Sequence, residues 1–275
     1  MAHMDYSYGA NFFGWLFAGV VNAHLCQYLD LGAMLALGAL FQIVAHALRS
    51  WNSPFGLYVT SFWLVSVGQA FQDTHANTFV AGVKVSHRWL AFIHAVYMAG
   101  CLIGPFVATA VASAGEVSRW YLFYTFPLGL GIVNLLLCLY AFRDTMRFNR
   151  KKPQPEVAEE NNEDPHSDNA HEASRNKGAV NLMIATIKTP SVWLLSMFFF
   201  FYLGAVLTAS GWVVEYLVAV RDGDLSLMGY VPAGFNGGAL LGRVLLAEPT
   251  HRLGERRMVF IYCVLALALQ LVFWL

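Results

Sequence analysis

Eight long apolar segments constrain this chain more than any other feature of its sequence. They cover about residues 8–27, 31–49, 55–82, 89–113, 120–142, 191–219, 227–247 and 257–275. Each approaches or exceeds the roughly 20 apolar residues that an α-helix needs to cross a bilayer. Hydrophobic residues make up 57% of the chain and charged residues only 12%, which favours a membrane protein over a soluble domain. We therefore predict an all-α polytopic membrane protein with about eight transmembrane helices.

A polar segment, residues 143–190, separates the first five apolar segments from the last three. It begins with a basic cluster and continues with an acidic run at 159–164. Dense charge and low hydrophobicity cannot offset the entropy of ordering a chain, so we predict a mostly disordered linker. Apolar spacing near residues 179–187 predicts a short amphipathic helix at the membrane surface. The predicted domains are an N-terminal helical half (1–142), this linker (143–190) and a partial C-terminal half (191–275).

Basic residues near the ends of the apolar segments predict the orientation in the membrane. The loops on one side carry most of them: Lys84, Arg88, the basic start of the linker, Arg252, Arg256 and Arg257. The loops on the other side carry mainly Arg49, Arg119 and Arg221. The positive-inside rule places the first set, with the linker, in the cytoplasm. Five spans precede the linker and three follow it, so both ends of the chain are predicted to lie outside.

Polar residues recur at helical spacing in the third apolar segment. Gln69, Asp73 and Asn77 are spaced i, i+4, i+8, which places them on one face of a helix. A carboxylate at such depth costs roughly 2.5 to 3.5 kcal/mol on insertion scales, so it faces a protein interior or an aqueous cavity. This face predicts contact with a solute or a proton. The alternative is that Asp73 only hydrogen-bonds a neighbouring helix.

Four further polar residues are candidates for the same binding region, each with a structural alternative. His94 and Tyr97 share a helix face at i, i+3 and are either a proton relay or hydrogen-bonded core residues. Trp212 either stacks on a sugar ring or lies at the membrane interface. Asn236, among glycines, either lines the cavity or makes a helix contact.

The sequence carries no pattern typical of other function classes. The cysteines Cys26, Cys101, Cys138 and Cys263 lie in four different apolar segments without metal-ligand spacing. HExxH, GxSxG and paired intramembrane carboxylates are absent from the sequence, so we expect neither enzymatic activity nor a cofactor or metal. No basic patch with interleaved aromatic residues predicts nucleic-acid binding.

Four stretches carry a resemblance to a known family: Gly14–Gly32, Gln69–Gly82, Ala99–Pro105 and Gly242–Arg257. They resemble the second helix with its loop, the fourth helix, the Gly-Pro motif of the fifth helix, and the loop after the eighth helix of the major facilitator superfamily. Within this superfamily the chain most resembles the fungal bypass-of-stop-codon-like branch, which is related to fucose-permease-like carriers.

The resemblance implies secondary active transport of a small solute by alternating access. A sugar or a related metabolite is the implied solute class, protons are the implied coupling ion, and a plasma or vacuolar membrane is the implied location. It also assigns a conformational role to a set of glycines, a proline and arginines: Gly100, Gly104, Pro105, Gly242, Arg243, Arg252, Gly254, Arg256 and Arg257. The alternatives are that Gly100 and Gly104 serve close helix packing, that Pro105 bends its helix, and that the arginines are cytoplasmic anchors.

Two departures from the family pattern affect these expectations. Val206 stands where many fucose-permease-like relatives have an acidic residue, which argues against the standard proton-coupling scheme. Glu215 is a poor substitute for that acidic residue, because it lies near the outer end of its helix, where we expect an interfacial position. The first span matches the second helix of the family, so its first helix and its last three are expected to be missing. The alternative to a working carrier is therefore a truncated chain that does not transport alone.

We predict that protease added to sealed, right-side-out cells leaves residues 143–190 intact, because the positive-inside rule places them in the cytoplasm. After permeabilisation the same protease should cut within this segment, since exposed flexible chain is cleaved preferentially. Cleavage in sealed cells would contradict the predicted orientation.

Overall fold

The computed structural model of the chain describes residues 2–112, 117, 119–146, 180–181, 183–228 and 230–274. Its longer helices coincide with the eight apolar segments: α1 (Ala2–Leu25), α2 (Leu31–Arg49), α3 (Phe55–Ala81), α4 (Ser86–Ala112), α5 (Thr125–Ala141), α6 (Pro190–Ala219), α8 (Val231–Leu245) and α10 (Glu255–Trp274). Two shorter helices, α7 (Leu225–Met228) and α9 (Ala247–Leu253), flank α8. Short 3₁₀ turns cover Trp120–Tyr124 and Arg143–Thr145. No strand occurs among these residues, so the predicted all-α class is confirmed.

Five segments combine the length and apolarity that a membrane crossing requires: Leu31–Arg49, Ser86–Ala108, Trp120–Ala141, Pro190–Ala219 and Glu255–Trp274. Helix α3 is long enough but carries a concentration of polar residues from Gln69 to Asn77, which lowers its mean hydropathy. Helix α8 has only 15 residues, or about 22 Å of helix. The chain is a multi-pass membrane protein, and a count of eight spans stays a prediction.

Most of the predicted linker lies outside the described residues, which resume at Val180. Residues 180–181 and 183–188 are helical, where the sequence predicts a short amphipathic helix. The predicted disorder and cytoplasmic location of the rest stay predictions.

The chain forms two compact units whose boundaries fall inside α3, α4 and α6. Unit 1 comprises Met1–Ala76 and Ala110–Phe201, and unit 2 comprises Asn77–Thr109 and Tyr202–Leu275. Unit 2 thus contains most of α4, from before the linker, together with α8 and α10, from after it. The units group residues by contact, whereas the predicted halves follow chain order around the linker, and the halves stay a prediction.

The core of unit 1 forms where α1, α2 and α3 meet. Met34 and Val67 are fully buried there, with Phe71 only 2% exposed and Ala18 and Ala70 beside them.

Helices α2 and α3 come close because glycines face each other. A Cβ on Gly68 would lie 2.5 Å from the Gly38 carbonyl oxygen, so no larger residue fits there without a shift of the backbone. Small residues permit such close backbone approach in membranes, where van der Waals packing drives helix association.

Arg49, at the C-terminal end of α2, is buried in unit 1 with 4% of its surface exposed. Its Nε donates a hydrogen bond of 2.6 Å to Ser61 Oγ, and its guanidinium carbon lies 3.8 Å from the centroid of the Phe62 ring. The centroid of the Tyr124 ring lies 5.3 Å from the same carbon. Aromatic faces attract a buried cation, so these rings offset part of its desolvation. Arg49 therefore ties α2 to α3 and to the turn before α5.

Unit 2 carries basic residues at both ends of α10. Arg256 and Arg257 lie in its first turn, and Arg221 donates from Nη2 to the Trp274 carbonyl oxygen at its other end, at 2.7 Å. The 20 residues of α10 separate the two ends by about 30 Å, the thickness of a hydrocarbon core. This separation agrees with the assignment of Arg221 and the Arg256–Arg257 pair to opposite sides of the membrane.

We predict that Gly68→Ala destabilises the protein by about 1 to 3 kcal/mol, because the added methyl group overlaps the Gly38 carbonyl and forces α2 and α3 apart. A thermal or denaturant unfolding curve of the purified chain in detergent measures the change.

Gly129→Ala in α5 is the matched control, since a Cβ there meets nothing within 4 Å. It should be neutral or stabilise by up to about 1 kcal/mol through better helix propensity. Equal effects of the two substitutions would contradict the close approach of α2 and α3.

Candidate functional site

Helix α3 presents one polar face that is packed against its neighbours within unit 1. Gln72 is the centre of this face. Its Oε1 accepts hydrogen bonds from Gln42 Nε2 at 2.7 Å and Asn134 Nδ2 at 3.0 Å, while its Nε2 donates to the Leu35 carbonyl at 3.1 Å. One amide therefore joins α3 to both α2 and α5. Hydrogen bonds of this kind replace the water that polar groups lack in a membrane.

His75, three residues further on, continues the packed face toward α1. Its Nε2 lies 2.9 Å from Asn22 Oδ1 and 3.8 Å from Cys26 Sγ. In the tautomer that protonates Nε2, the imidazole donates to the side-chain oxygen of Asn22. Nearer the start of α3, Ser66 Oγ donates to Asn11 Oδ1 at 2.6 Å. The packed polar residues of α3 thus hold α1, α2 and α5 around it.

Two of the three residues predicted from the i, i+4, i+8 spacing are exposed in the structure. Gln69 and Asp73 are exposed, and Asn77 is half-buried. Asp73 follows Gln72 directly, and consecutive residues of an α-helix are rotated by about 100°. Asp73 therefore does not share the direction of Gln72. Ser66, seven residues before Asp73 and so on nearly the same side of the helix, is buried and bonds Asn11 of α1.

The remaining candidate residues belong to unit 2. His94 is half-buried and Tyr97 is 65% exposed, both on α4, and Trp212 is 44% exposed on α6. Asn236 on α8 donates from Nδ2 to the Cys101 carbonyl oxygen of α4 at 3.2 Å. Asn236 therefore makes a contact between two helices of unit 2, which is the structural alternative to lining a cavity.

An ion-pair cluster, which we call the Glu248 cluster, joins the start of α4 to α9 within unit 2. Glu248 Oε2 accepts from Arg88 Nε at 2.9 Å, and Oε1 accepts from Arg252 Nε at 2.8 Å. His87 Nε2 lies 3.5 Å from Oε2, and the His87 ring stacks on the His251 ring with centroids 3.8 Å apart. Arg88 and Arg252, both assigned to the cytoplasmic side by sequence, therefore lie at the same end of unit 2.

The two arginines stabilise the ionised form of Glu248. Hydrogen bonds from Arg88 and then Arg252 favour the carboxylate and lower the pKa of Glu248 from 4.5 to about 2. Glu248 is therefore ionised throughout the physiological range. Sequence analysis missed this residue because its partner Arg88 is 160 positions away; the basic residues on both sides of α9 were the available signal.

Comparison with known proteins decides the family. The family model described as Major Facilitator Superfamily matches residues 4–275. The chain belongs to the major facilitator superfamily.

Two curated proteins illustrate what the chain is similar to. Bypass of stop codon protein 6 of Saccharomyces cerevisiae is 24% identical over 254 residues, covering 88% of this chain and 48% of the yeast protein. Protein spinster homolog 1 of Xenopus laevis is 28% identical over 148 residues, covering 51% of this chain and 28% of the frog protein. The chain therefore spans about half the length, or less, of the curated relatives it matches. No solved structure matches it with statistical significance.

The residues that the superfamily resemblance marks as conformational are distributed over α4 and the α8–α10 region of unit 2. An added Cβ at Gly100 or Gly104 would meet nothing within 4 Å, so these glycines do not make close contacts in the described structure. Pro105 lies inside the continuous helix α4. Gly254 has a φ of +93°, which favours glycine and permits the sharp turn between α9 and α10. The arginines of the set are all exposed: Arg243, Arg252, Arg256 and Arg257.

Metal binding has no support within the described ranges. No group of three or more His, Cys, Asp or Glu side chains there has an arrangement that could hold a metal ion.

We predict that Glu248→Gln loosens the contact between α9 and the start of α4 at neutral pH, because a neutral amide loses both charge-assisted bonds. Because the pKa of Glu248 is depressed in the fold, its stabilising contribution is complete above about 4.5 and is lost as the pH falls through about 2. Hydrogen exchange of residues 86–90 and 247–253, corrected for intrinsic rates, should show the same protection in the wild type at pH 7 and pH 5. Protection in Glu248→Gln should be lower at both pH values.

Glu255→Gln is the matched control, since Glu255 is an exposed carboxylate at the start of α10. It should leave protection of 86–90 unchanged. Equal protection of residues 86–90 in Glu248→Gln and the wild type at pH 7 would show that Glu248 does not control the contact.

Proposed function

We propose that this chain forms part of a secondary transporter that moves a small solute by alternating access, with Gln69, Asp73 and Asn77 lining the pathway. Membership of the major facilitator superfamily points to transport of small solutes rather than to enzymatic catalysis. Sugars or related metabolites are the proposed solutes, and protons the proposed coupling ion.

The observation that carries the proposal is the exposed carboxylate side chain of Asp73, which lies among other polar residues of the long helix α3. Asp73 lies five residues, or about 7.5 Å, from the middle of α3. If α3 is centred in a hydrocarbon core of about 30 Å, Asp73 lies well inside that core. A carboxylate in this position is too costly to face lipid, so it requires protein partners or an aqueous cavity. Within unit 1, Gln72 and His75 bond α1, α2 and α5, whereas the side chains of Gln69 and Asp73 stay exposed. We propose these exposed side chains as part of the lining of a solute pathway.

We further propose that the Glu248 cluster, which lies within unit 2, forms in one conformational state of the transport cycle and breaks in another. It joins α4, which precedes the linker, to α9, which follows it. A contact between segments on the two sides of the linker is the kind that rocking of two halves would make and break. The separate motif residues Arg243, Arg256 and Arg257 are proposed to support the same movement.

The test of the proposed function is Asp73→Asn. If Asp73 couples transport to protons, the variant should abolish pH-driven accumulation while leaving solute exchange partly intact, because the neutral side chain preserves shape but cannot release a proton. Proteoliposomes with a trapped pH-sensitive dye and a panel of labelled monosaccharides measure both activities, for the chain alone and for a full-length version.

Two control variants separate coupling from folding. Asp144→Asn makes the same chemical change at a side chain that is 91% exposed, and it should have no effect. Gln72→Leu should lower the yield of folded protein, because it leaves the amides of Gln42 and Asn134 without their acceptor. Unchanged pH-driven uptake in Asp73→Asn would refute the role of Asp73.

A further inference from the structure

The proline in the middle of α4 leaves one backbone carbonyl without its helical donor. In an α-helix the N–H of residue 105 would donate to the carbonyl oxygen of residue 101. Pro105 has no N–H, yet α4 continues past it to Ala112. In the apolar part of a membrane no water can replace the missing donor, so the Cys101 carbonyl needs a partner from the protein.

The donor that reaches this carbonyl comes from another helix. Asn236 Nδ2, on α8, lies 3.2 Å from the Cys101 oxygen. A carboxamide nitrogen carries two N–H groups, so it can substitute for a backbone amide. Both residues belong to unit 2, and 135 positions separate them in the chain.

The glycines near this bond make no close contacts between α4 and α8. A Cβ added at Gly100 or Gly104 on α4, or at Gly237 or Gly238 on α8, would meet nothing within 4 Å. These glycines therefore do not interlock the two helices. The part-buried bond between Asn236 and Cys101 can therefore break without separating interlocked glycine surfaces.

We propose that Asn236 is a positioning residue that supplies the hydrogen-bond donor missing at Pro105, and that its release allows α4 to bend there. Bending of α4 would then depend on where α8 lies, which couples a helix before the linker to one after it. Control of a conformational cycle by this bond rests on the proposed transport function. The bond itself and its coupling to Pro105 do not depend on that function.

A double-mutant cycle between Asn236 and Pro105 tests the proposal. Asn236→Leu should lower the melting temperature of the purified chain by about 2 to 6 °C, since it leaves the Cys101 carbonyl unpaired. In the Pro105→Ala background the same substitution should cause less than half of that shift, because the N–H of the introduced alanine then donates to the Cys101 carbonyl. Asn236→Gln, which retains the carboxamide, should recover part of the loss only where Pro105 is present.

Asn134→Leu is the matched control, because it removes a half-buried carboxamide that bonds Gln72 in unit 1. Its shift should be the same with Pro105 and in the Pro105→Ala background. Equal shifts for Asn236→Leu in both backgrounds would overturn the proposal.

A second measurement applies if Pro105→Ala does not fold. Hydrogen exchange of residues 102–108 should be about tenfold faster in Asn236→Leu than in Asn236→Gln, because only the leucine variant frees the break in α4. Equal exchange in the two variants would also overturn the proposal. Neither measurement requires transport. If Asn236 and Pro105 are coupled but the protein takes up no solute, only the proposed transport function is contradicted.

Discussion

Polar groups in the apolar part of a membrane cannot bond to water, so they must find hydrogen-bond partners within the protein. The helix contacts of the described structure depend on this constraint. In unit 1 the Gln72 amide bonds Gln42, Asn134 and a backbone carbonyl, and in doing so it joins three helices. In unit 2 the carbonyl freed by Pro105 receives the Asn236 amide. Hydrophobic burial does not distinguish one helix arrangement from another when lipid is equally apolar, so such polar contacts specify which helices meet.

The helices are predictable because the bilayer sets a length that can be counted along the sequence. The apolar segment 31–49 corresponds to α2 at Leu31–Arg49, and the segment 55–82 corresponds to α3 at Phe55–Ala81. The segment 227–247 matches less well, because the chain divides there into α7 and α8. Pro232 explains the start of α8, since proline is favoured in the first turn of a helix and disfavoured in its interior.

The polar partners are much less predictable, because they join residues that are distant in sequence. Periodicity places Gln69, Asp73 and Asn77 on one face, but it cannot tell which polar residues of α3 are packed. Sequence analysis missed Gln72 and His75 because their partners lie on α1, α2 and α5, 30 to 62 positions away.

Arg49 shows the same limit for a charged residue. By sequence it is a basic residue at the end of an apolar segment, and it counts only toward the orientation in the membrane. Stacking on Phe62 and the hydrogen bond to Ser61 draw it into unit 1 instead. The partners that offset its desolvation lie on the next helix, so the pattern of α2 alone does not predict its burial.

The packed and the exposed polar residues of α3 imply a division of roles within one helix. Side chains of the packed face, such as Gln72, cannot change partners without leaving buried groups unpaired, so they suit a permanent structural role. Burial of an ionised carboxylate would cost far more than burial of an amide, and the side chain of Asp73 is exposed. A rotation of about 100° between adjacent residues thus separates a group that holds the fold from one that we propose meets a solute. The same reasoning applies to α4. The Cys101 carbonyl freed by Pro105 accepts its hydrogen bond from a side chain rather than from the backbone, and a side chain can change its rotamer and release the bond.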